Sequence, residues 1–113
     1  MTIPIEQQIS ESAALIARLG ECTDAIRKAS ERVVGALRGG RKVLTAGNGG
    51  SAAEAMHMAE ELVGRFRGDR PALPAVALCA DGTALTCVCN DYGFEAVFSR
   101  QVEALGQAGD VLV

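Results

Sequence analysis

The feature that most constrains the fold is a short apolar run, Lys42-Val43-Leu44-Thr45-Ala46, that breaks at Gly47-Asn48-Gly49-Gly50-Ser51 and passes into a helix-like stretch. A strand, a glycine-rich turn and a helix in direct succession begin a strand–helix alternation, and alternation of this kind builds a parallel sheet covered by helices. Such a turn is also a place where backbone N–H groups can hold an anion, usually a phosphate.

The rest of the chain carries the alternation on. Ile5, Ile9, Ala13 and Ile16 recur at helical spacing up to Gly20. Thr23 is the expected N-cap of a second helix, with Ile26, Ala29, Val33 and Leu37 on one side and Gly39-Gly40 at its end. Ser51 and Glu54 fit the S-x-x-E capping box, so a third helix should start just after the turn. At about 100° per residue, Ala55, Ala59, Leu62 and Phe66 form its core-facing stripe. His57 and Glu61 lie opposite, facing solvent or another subunit.

Pro71 and Pro74 bracket a loop, and Ala75 to Cys79 reads as a strand buried on both faces. Asp81-Gly82 ends it. Thr83 to Cys89 fits a strand or a short helix equally well, and Asn90-Asp91-Tyr92-Gly93 reads as a turn. Phe94, Val97, Phe98, Gln101, Val102 and Leu105 mark a fourth helix, and Val111-Leu112-Val113 a further strand. The fold class is therefore α/β, a parallel sheet between helical layers. In such sheets ligands bind beyond the carboxyl ends of the strands, which is where Gly47 to Ser51 and Asp81 fall.

Composition removes several classes. The chain has 113 residues, 49% of them hydrophobic, enough for one small domain with a core and too many for a disordered chain. With a net charge of −3 and no basic cluster, a nucleic-acid surface is not expected. No apolar run is long enough to span a membrane, and the N-terminal residues lack a signal pattern, so a cytoplasmic protein is expected. Cys22, Cys79, Cys87 and Cys89 form no C-x-x-C pair and are expected to be reduced, buried thiols.

The residues leave three meanings open for the turn. Gly47 to Ala52 satisfies G-x-G-x-x-A, the dinucleotide fingerprint, although Asp81 lies well beyond the usual acid position ~20 residues on. The turn could equally hold another phosphate-bearing ligand, or none. No Lys-Ser or Lys-Thr follows the glycines, so it is not a Walker A loop. His57 and Glu61 are an i, i+4 pair, on an arbitrary helix a solvated contact worth ~0.2–0.5 kcal/mol. Here His57 is the only histidine and stands within two turns of the candidate anion site. Imidazole and carboxylate suit zinc, and a carboxylate can serve as a general base. Asn90 and Asp91 read as turn residues or as hydrogen-bonding partners of a polyhydroxylated ligand. Arg65, Arg67 and Arg70 read as solvated charges complementing a helix end.

Four segments together carry a resemblance: Gly47 to Ser51, Ala55-Met56-His57-Met58-Ala59-Glu60-Glu61-Leu62, Arg70-Pro71-Ala72-Leu73-Pro74-Ala75, and Gly109-Asp110-Val111-Leu112. Over essentially the whole chain the sequence resembles the sugar isomerase (SIS) domain family, in the branch that isomerises sedoheptulose 7-phosphate. The resemblance implies conversion of that ketose to D-glycero-D-manno-heptose 7-phosphate through an enediol, the first step towards the heptose of lipopolysaccharide. It implies a three-layer SIS sandwich and a zinc-binding homotetramer with active sites between subunits.

By motif match, His57 and Glu61 would ligate zinc, and Glu61 would also be the base. Asn48, Gly49, Gly50, Asn90 and Asp91 would contact substrate, with Glu61 beside them, and Ser51 would help to hold the phosphate. Residues 1–40 would be a helical oligomerisation region and 41–113 the start of the sheet, within a single SIS domain. The family continues beyond the Val111 strand with a Ser/Thr-rich phosphate loop, then a Gln and a His that complete the zinc site. The 113 residues are accordingly expected to be the N-terminal part of an enzyme and inactive alone. Some SIS relatives instead bind phosphosugars without catalysis, one of them associating with the bacterial replication initiator; they lack an acid at the position of Glu61.

Overall fold

A computed structural model describes residues 2–113. They fall into two compact units, one reaching to Arg32 and one from Val33 to Val113. The first holds helix α1 (Ile5–Ala17), a 3-10 turn at Arg18–Cys22, and the first part of α2 (Thr23–Arg38). Gly20 sits inside that 3-10 turn. Thr23 does not act as the expected N-cap: it is already helical, and its hydroxyl donates to Gly20 O at 2.8 Å. None of the described residues of this unit is buried, and Ile5, Ile9 and Ile16 are 65–70% exposed.

The second unit carries the sheet. Its elements are β1 (Val43–Thr45), α3 (Gly50–Val63), β2 (Ala75–Ala77), α4 (Gly82–Tyr92), α5 (Val97–Leu105) and β3 (Val111–Leu112), with a 3-10 turn at Phe94–Ala96 before α5. The strands run parallel in the order β2-β1-β3, pairing Val43 with both Ala75 and Val111. The chain leaves β1 for one edge and then crosses to the other. Right-handed crossovers in opposite directions put α3 on one face and α4 with α5 on the other.

Central β1 is buried throughout, and Val43, Leu44, Leu78 and Val97 form the core, each no more than 2% exposed. Burying a side chain of this size contributes roughly 1.5–3 kcal/mol. Burial on both faces thus belongs to β1 and not, as expected, to the Ala75–Cys79 run. β2 is an edge strand with only β1 beside it, and Val76 is 39% exposed.

Four local readings are corrected. α3 begins at Gly50, after Gly49 at φ 58°, ψ −122°, with no side-chain cap. Ser51 therefore lies inside the first turn, and the capping box does not form. α3 also stops at Val63, leaving Phe66 beyond it and 60% exposed rather than on the core stripe. Thr83 to Cys89 is helical, and so are Asn90, Asp91 and Tyr92, expected as a turn. The cause is Asp81, whose carboxylate accepts from the amides of Thr83 (2.9 Å) and Ala84 (3.1 Å) and starts α4. Gly93, at φ 91°, ends it. The cysteines are free, but Cys22, Cys87 and Cys89 are exposed and only Cys79 is half-buried, contrary to the buried set expected.

The amino ends of β1 and β3 are fastened by one residue. Asp110 accepts from Lys42 N (3.0 Å), Lys42 Nζ (2.6 Å) and Gln107 N (2.7 Å). The Lys42 hydrogen bonds hold its carboxyl well below the ordinary 3.8, at about 2.

Candidate active site at the carboxyl end of the sheet

The order β2-β1-β3 puts a topological switch between β1 and β3, where crossovers leave in opposite directions and a crevice opens beyond the strand ends. The glycine turn occupies the β1 side of that crevice. Gly47 has to be glycine: a Cβ there would lie 2.5 Å from the carbonyl carbon and oxygen of Ser51 and 2.8 Å from Ala52 N. This close approach lets the chain reverse from β1 into α3 within four residues. Gly49 supplies the positive φ of the reversal. A Cβ on Gly50 would meet only open space.

The turn leaves donors free. Ser51 N–H is committed to Asn48 O (3.1 Å) and Ala53 N–H to Gly49 O (3.2 Å). The amides of Gly50 and Ala52 have no partner among the described residues. They stand at the positive end of α3, the arrangement that receives phosphate. Thr45 locks the helix to the strand: its hydroxyl, 1% exposed, donates to Ala55 O at 2.7 Å. That link was not visible in the sequence, where Thr45 reads as one more strand residue.

The substrate residues expected by resemblance divide between two clefts. Gly50 and Ser51 face one at the β1–β3 switch, with Glu54 and Met58 beside them. Asn48 and Gly49 face a second, apolar one, closed by Cys79, Cys89 and Phe98. Thr86 and Cys89, not Asn90 or Asp91, line this second cleft from α4. Asn90 and Asp91 are exposed in the last turn of α4, where the Asn90 amide donates to Asp91 at 2.9 Å. The structure thus brings Asn48 to Ser51 together in one turn and leaves Asn90 and Asp91 outside both clefts.

His57 and Glu61 do face away from the sheet and meet, with Nε2 3.2 Å from Glu61 Oε1. Glu60 and Glu54 are each 3.9 Å from the imidazole. The carboxylates differ in exposure: the Glu61 side chain is 31% exposed, against 70% for Glu60 and 83% for Glu54. Glu61 is therefore the least solvated acid beside the imidazole.

The donor set fits a metal. Two ligands of a tetrahedral zinc at ~2.1 Å lie roughly 3.4 Å apart, close to the separation of His57 Nε2 and Glu61 Oε1. Glu60 completes a group of three whose donor atoms lie within 4.8 Å of one another. Sequence reading omitted Glu60, although its i, i+3 spacing from His57 was available as a signal.

Arg70 departs from the expected solvated charge. Its guanidinium is half-buried and donates to Leu62 O (3.0 Å), Pro71 O (3.1 Å) and, more closely, Glu61 O. Arg65 and Arg67 are exposed, as expected.

A parallel sheet with a glycine turn at its switch point and an imidazole–carboxylate pair on the next helix is the layout of an α/β domain that can receive an anionic ligand. The sequence pattern of the SIS domain family matches residues 7–113, and the chain belongs to that family. It is similar to the phosphoheptose isomerases of a Bradyrhizobium species, at 50% identity over 96% of this chain and 57% of the relative. The phosphoheptose isomerase of Geobacter metallireducens is 57% identical over 82% of this chain and 49% of the relative. Among solved structures, the phosphoheptose isomerase of Francisella tularensis superposes with a TM-score of 0.83 at 36% identity, over 98% of this chain and 60% of that one. That of Neisseria gonorrhoeae gives 0.78 at 40% identity, over 96% and 59%. The chain spans 49–60% of the length of these relatives.

Proposed function

We propose that the full-length protein is an aldose–ketose isomerase that converts sedoheptulose 7-phosphate to D-glycero-D-manno-heptose 7-phosphate through an enediol. The observation that carries the reading is the Glu61 carboxylate, 3.2 Å from His57 on the helix that leaves the glycine turn. Isomerisation moves one proton from C1 to C2. Glu61 takes the C1 proton, and the electron pair of that C–H bond forms the C1–C2 double bond as the C2 carbonyl oxygen gains a proton. Return of the proton to C2 and loss of the C1 hydroxyl proton give the aldose.

In this reading His57 and Glu61 hold zinc, which when bound supplies Lewis-acid polarisation of the sugar carbonyl. The free amide of Gly50, with Ser51, receives anionic oxygens from one side of the turn, while Asn48, Gly49 and the free amide of Ala52 bind from the other. Asn90 and Asp91, exposed at the end of α4 and outside both clefts of this chain, contact the sugar at an active site formed between subunits. The likeness to phosphoheptose isomerases supports the substrate, and a product bound for lipopolysaccharide heptose follows from that substrate.

The bare apolar side chains of α1 support a homotetramer in which residues 1–40 form the oligomerisation region of a single SIS domain. Sedimentation of the full-length protein as a stable monomer would remove that part of the reading. Among the described residues no helix is long and apolar enough to cross a membrane, in keeping with a cytoplasmic enzyme.

The test is Glu61→Gln in the full-length protein, assayed on sedoheptulose 7-phosphate. Loss of a general base is expected to lower turnover by ~10²–10⁴-fold with an unchanged circular dichroism spectrum. Turnover near that of the wild type would sink the assignment. Saturable binding of the sugar phosphate by a wild type without turnover would point instead to a non-catalytic SIS protein.

A further inference from the structure

We propose that Arg70 is the positioning residue of the His57–Glu61 pair, acting through the backbone at the end of α3. The proposal rests on the reading of Glu61 as zinc ligand and base. A helix leaves its last four carbonyls without intrahelical donors, and its final turn frays unless something satisfies them. α3 ends at Val63, so the carbonyls of Glu61 and Leu62 are among these. The C-cap, Gly64, returns its N–H only to Glu60 O (2.7 Å) and is not in the left-handed region that closes most helix ends.

Arg70 fills the gap. One guanidinium nitrogen donates to Leu62 O and Pro71 O, the other to Glu61 O. Leu73 N–H adds a second bond to Leu62 O at 3.0 Å. The segment after α3 is thus folded back and fastened to the turn that carries Glu61. The positive charge also stands at the negative end of the helix dipole. His57, one turn earlier in α3, has helical hydrogen bonds on both sides, whereas Glu61 depends on this external cap for its backbone position. The planar fork reaches these carbonyls from two separate nitrogens held in one plane, a geometry that the single ammonium nitrogen of lysine does not reproduce.

The experiment uses the full-length protein and zinc alone as the probe, with affinity read by chelator competition. Residues that orient metal ligands typically cost 10–100-fold in affinity when removed. Arg70→Ala and Arg70→Lys are both expected to weaken zinc by that factor and to lower kcat more than they raise KM. Amide hydrogen exchange is expected to accelerate at residues 60–64 and to stay unchanged at 53–58. Asp110→Asn, on the β3 side of the sheet, lowers stability without removing any contact of α3 and is expected to leave zinc affinity within about twofold of the wild type, since it orients no metal ligand.

Wild-type zinc affinity in Arg70→Lys, or an equal loss in Asp110→Asn, overturns the proposal. Undiminished zinc affinity and turnover in Glu61→Gln remove instead the reading on which it rests.

Discussion

The two ends of the same three strands are built on opposite principles. At the amino end, Asp110 draws Lys42 and Gln107 together through three hydrogen bonds, so each polar group has a partner. At the carboxyl end, the glycine turn leaves the amides of Gly50 and Ala52 open. One end closes the sheet, and the other keeps donors available for a ligand. An end that holds the fold satisfies its polar groups internally, while an end that binds must keep some for its ligand.

The contrast can be broken most severely at Gly47. Gly47→Ala drives a Cβ into the Ser51 carbonyl and is expected to cost on the order of 3 kcal/mol, read as the unfolding midpoint of the full-length protein in urea. Gly50→Ala, three residues on, meets open space in a helical position and is expected to match or slightly exceed wild-type stability. Equal effects of the two would mean that the turn is not set by the close approach at Gly47.

A smaller effect is expected at Thr45. Thr45→Val removes the buried donor to Ala55 O and is expected to cost about 1–2 kcal/mol by the same measurement, with its consequences confined to the seating of α3. An unchanged midpoint would show that packing alone holds the helix on β1.

The smallest effect at neutral pH concerns Asp110. Its folded-state carboxyl lies at about 2, below the ordinary 3.8. A depressed carboxyl contributes stability that is fully present above the unfolded value and is lost as pH falls through the folded one. The clamp should therefore be intact at pH 7 and pH 5, and weaken between about pH 3.8 and 2. In an acid titration followed by circular dichroism, Asp110→Asn should flatten this limb. A wild-type loss complete by pH 4 would place the transition in another group.

Much of the local structure was legible from side-chain periodicity. The apolar runs gave the strands near Val43, Ala75 and Val111, and the spacing of His57 and Glu61 put them on the outward side of α3. The failures share a cause. Ser51 and Glu54 spell a capping box, yet the tight turn at Gly47 starts the helix two residues early, with Gly49 at the N-cap. Thr83 to Tyr92 carries residues common in strands and turns, yet the Asp81 cap makes it helical. Arg70 reads as a surface charge until the loop that carries it folds back onto α3.

The sequence by itself determined the alternation of strand and helix, the glycine that the first turn requires, and the pairing of an imidazole with a carboxylate one helical turn apart. These depend on contacts within about four residues, where spacing fixes geometry. Tertiary structure alone decided the strand order β2-β1-β3, and with it the crevice between β1 and β3. It also decided the Thr45 and Lys42–Asp110 links, the division of the glycine turn between two clefts, and the cap that Arg70 places behind Glu61. Each of these joins groups that only the folded path of the chain brings together, and no local pattern records such a meeting.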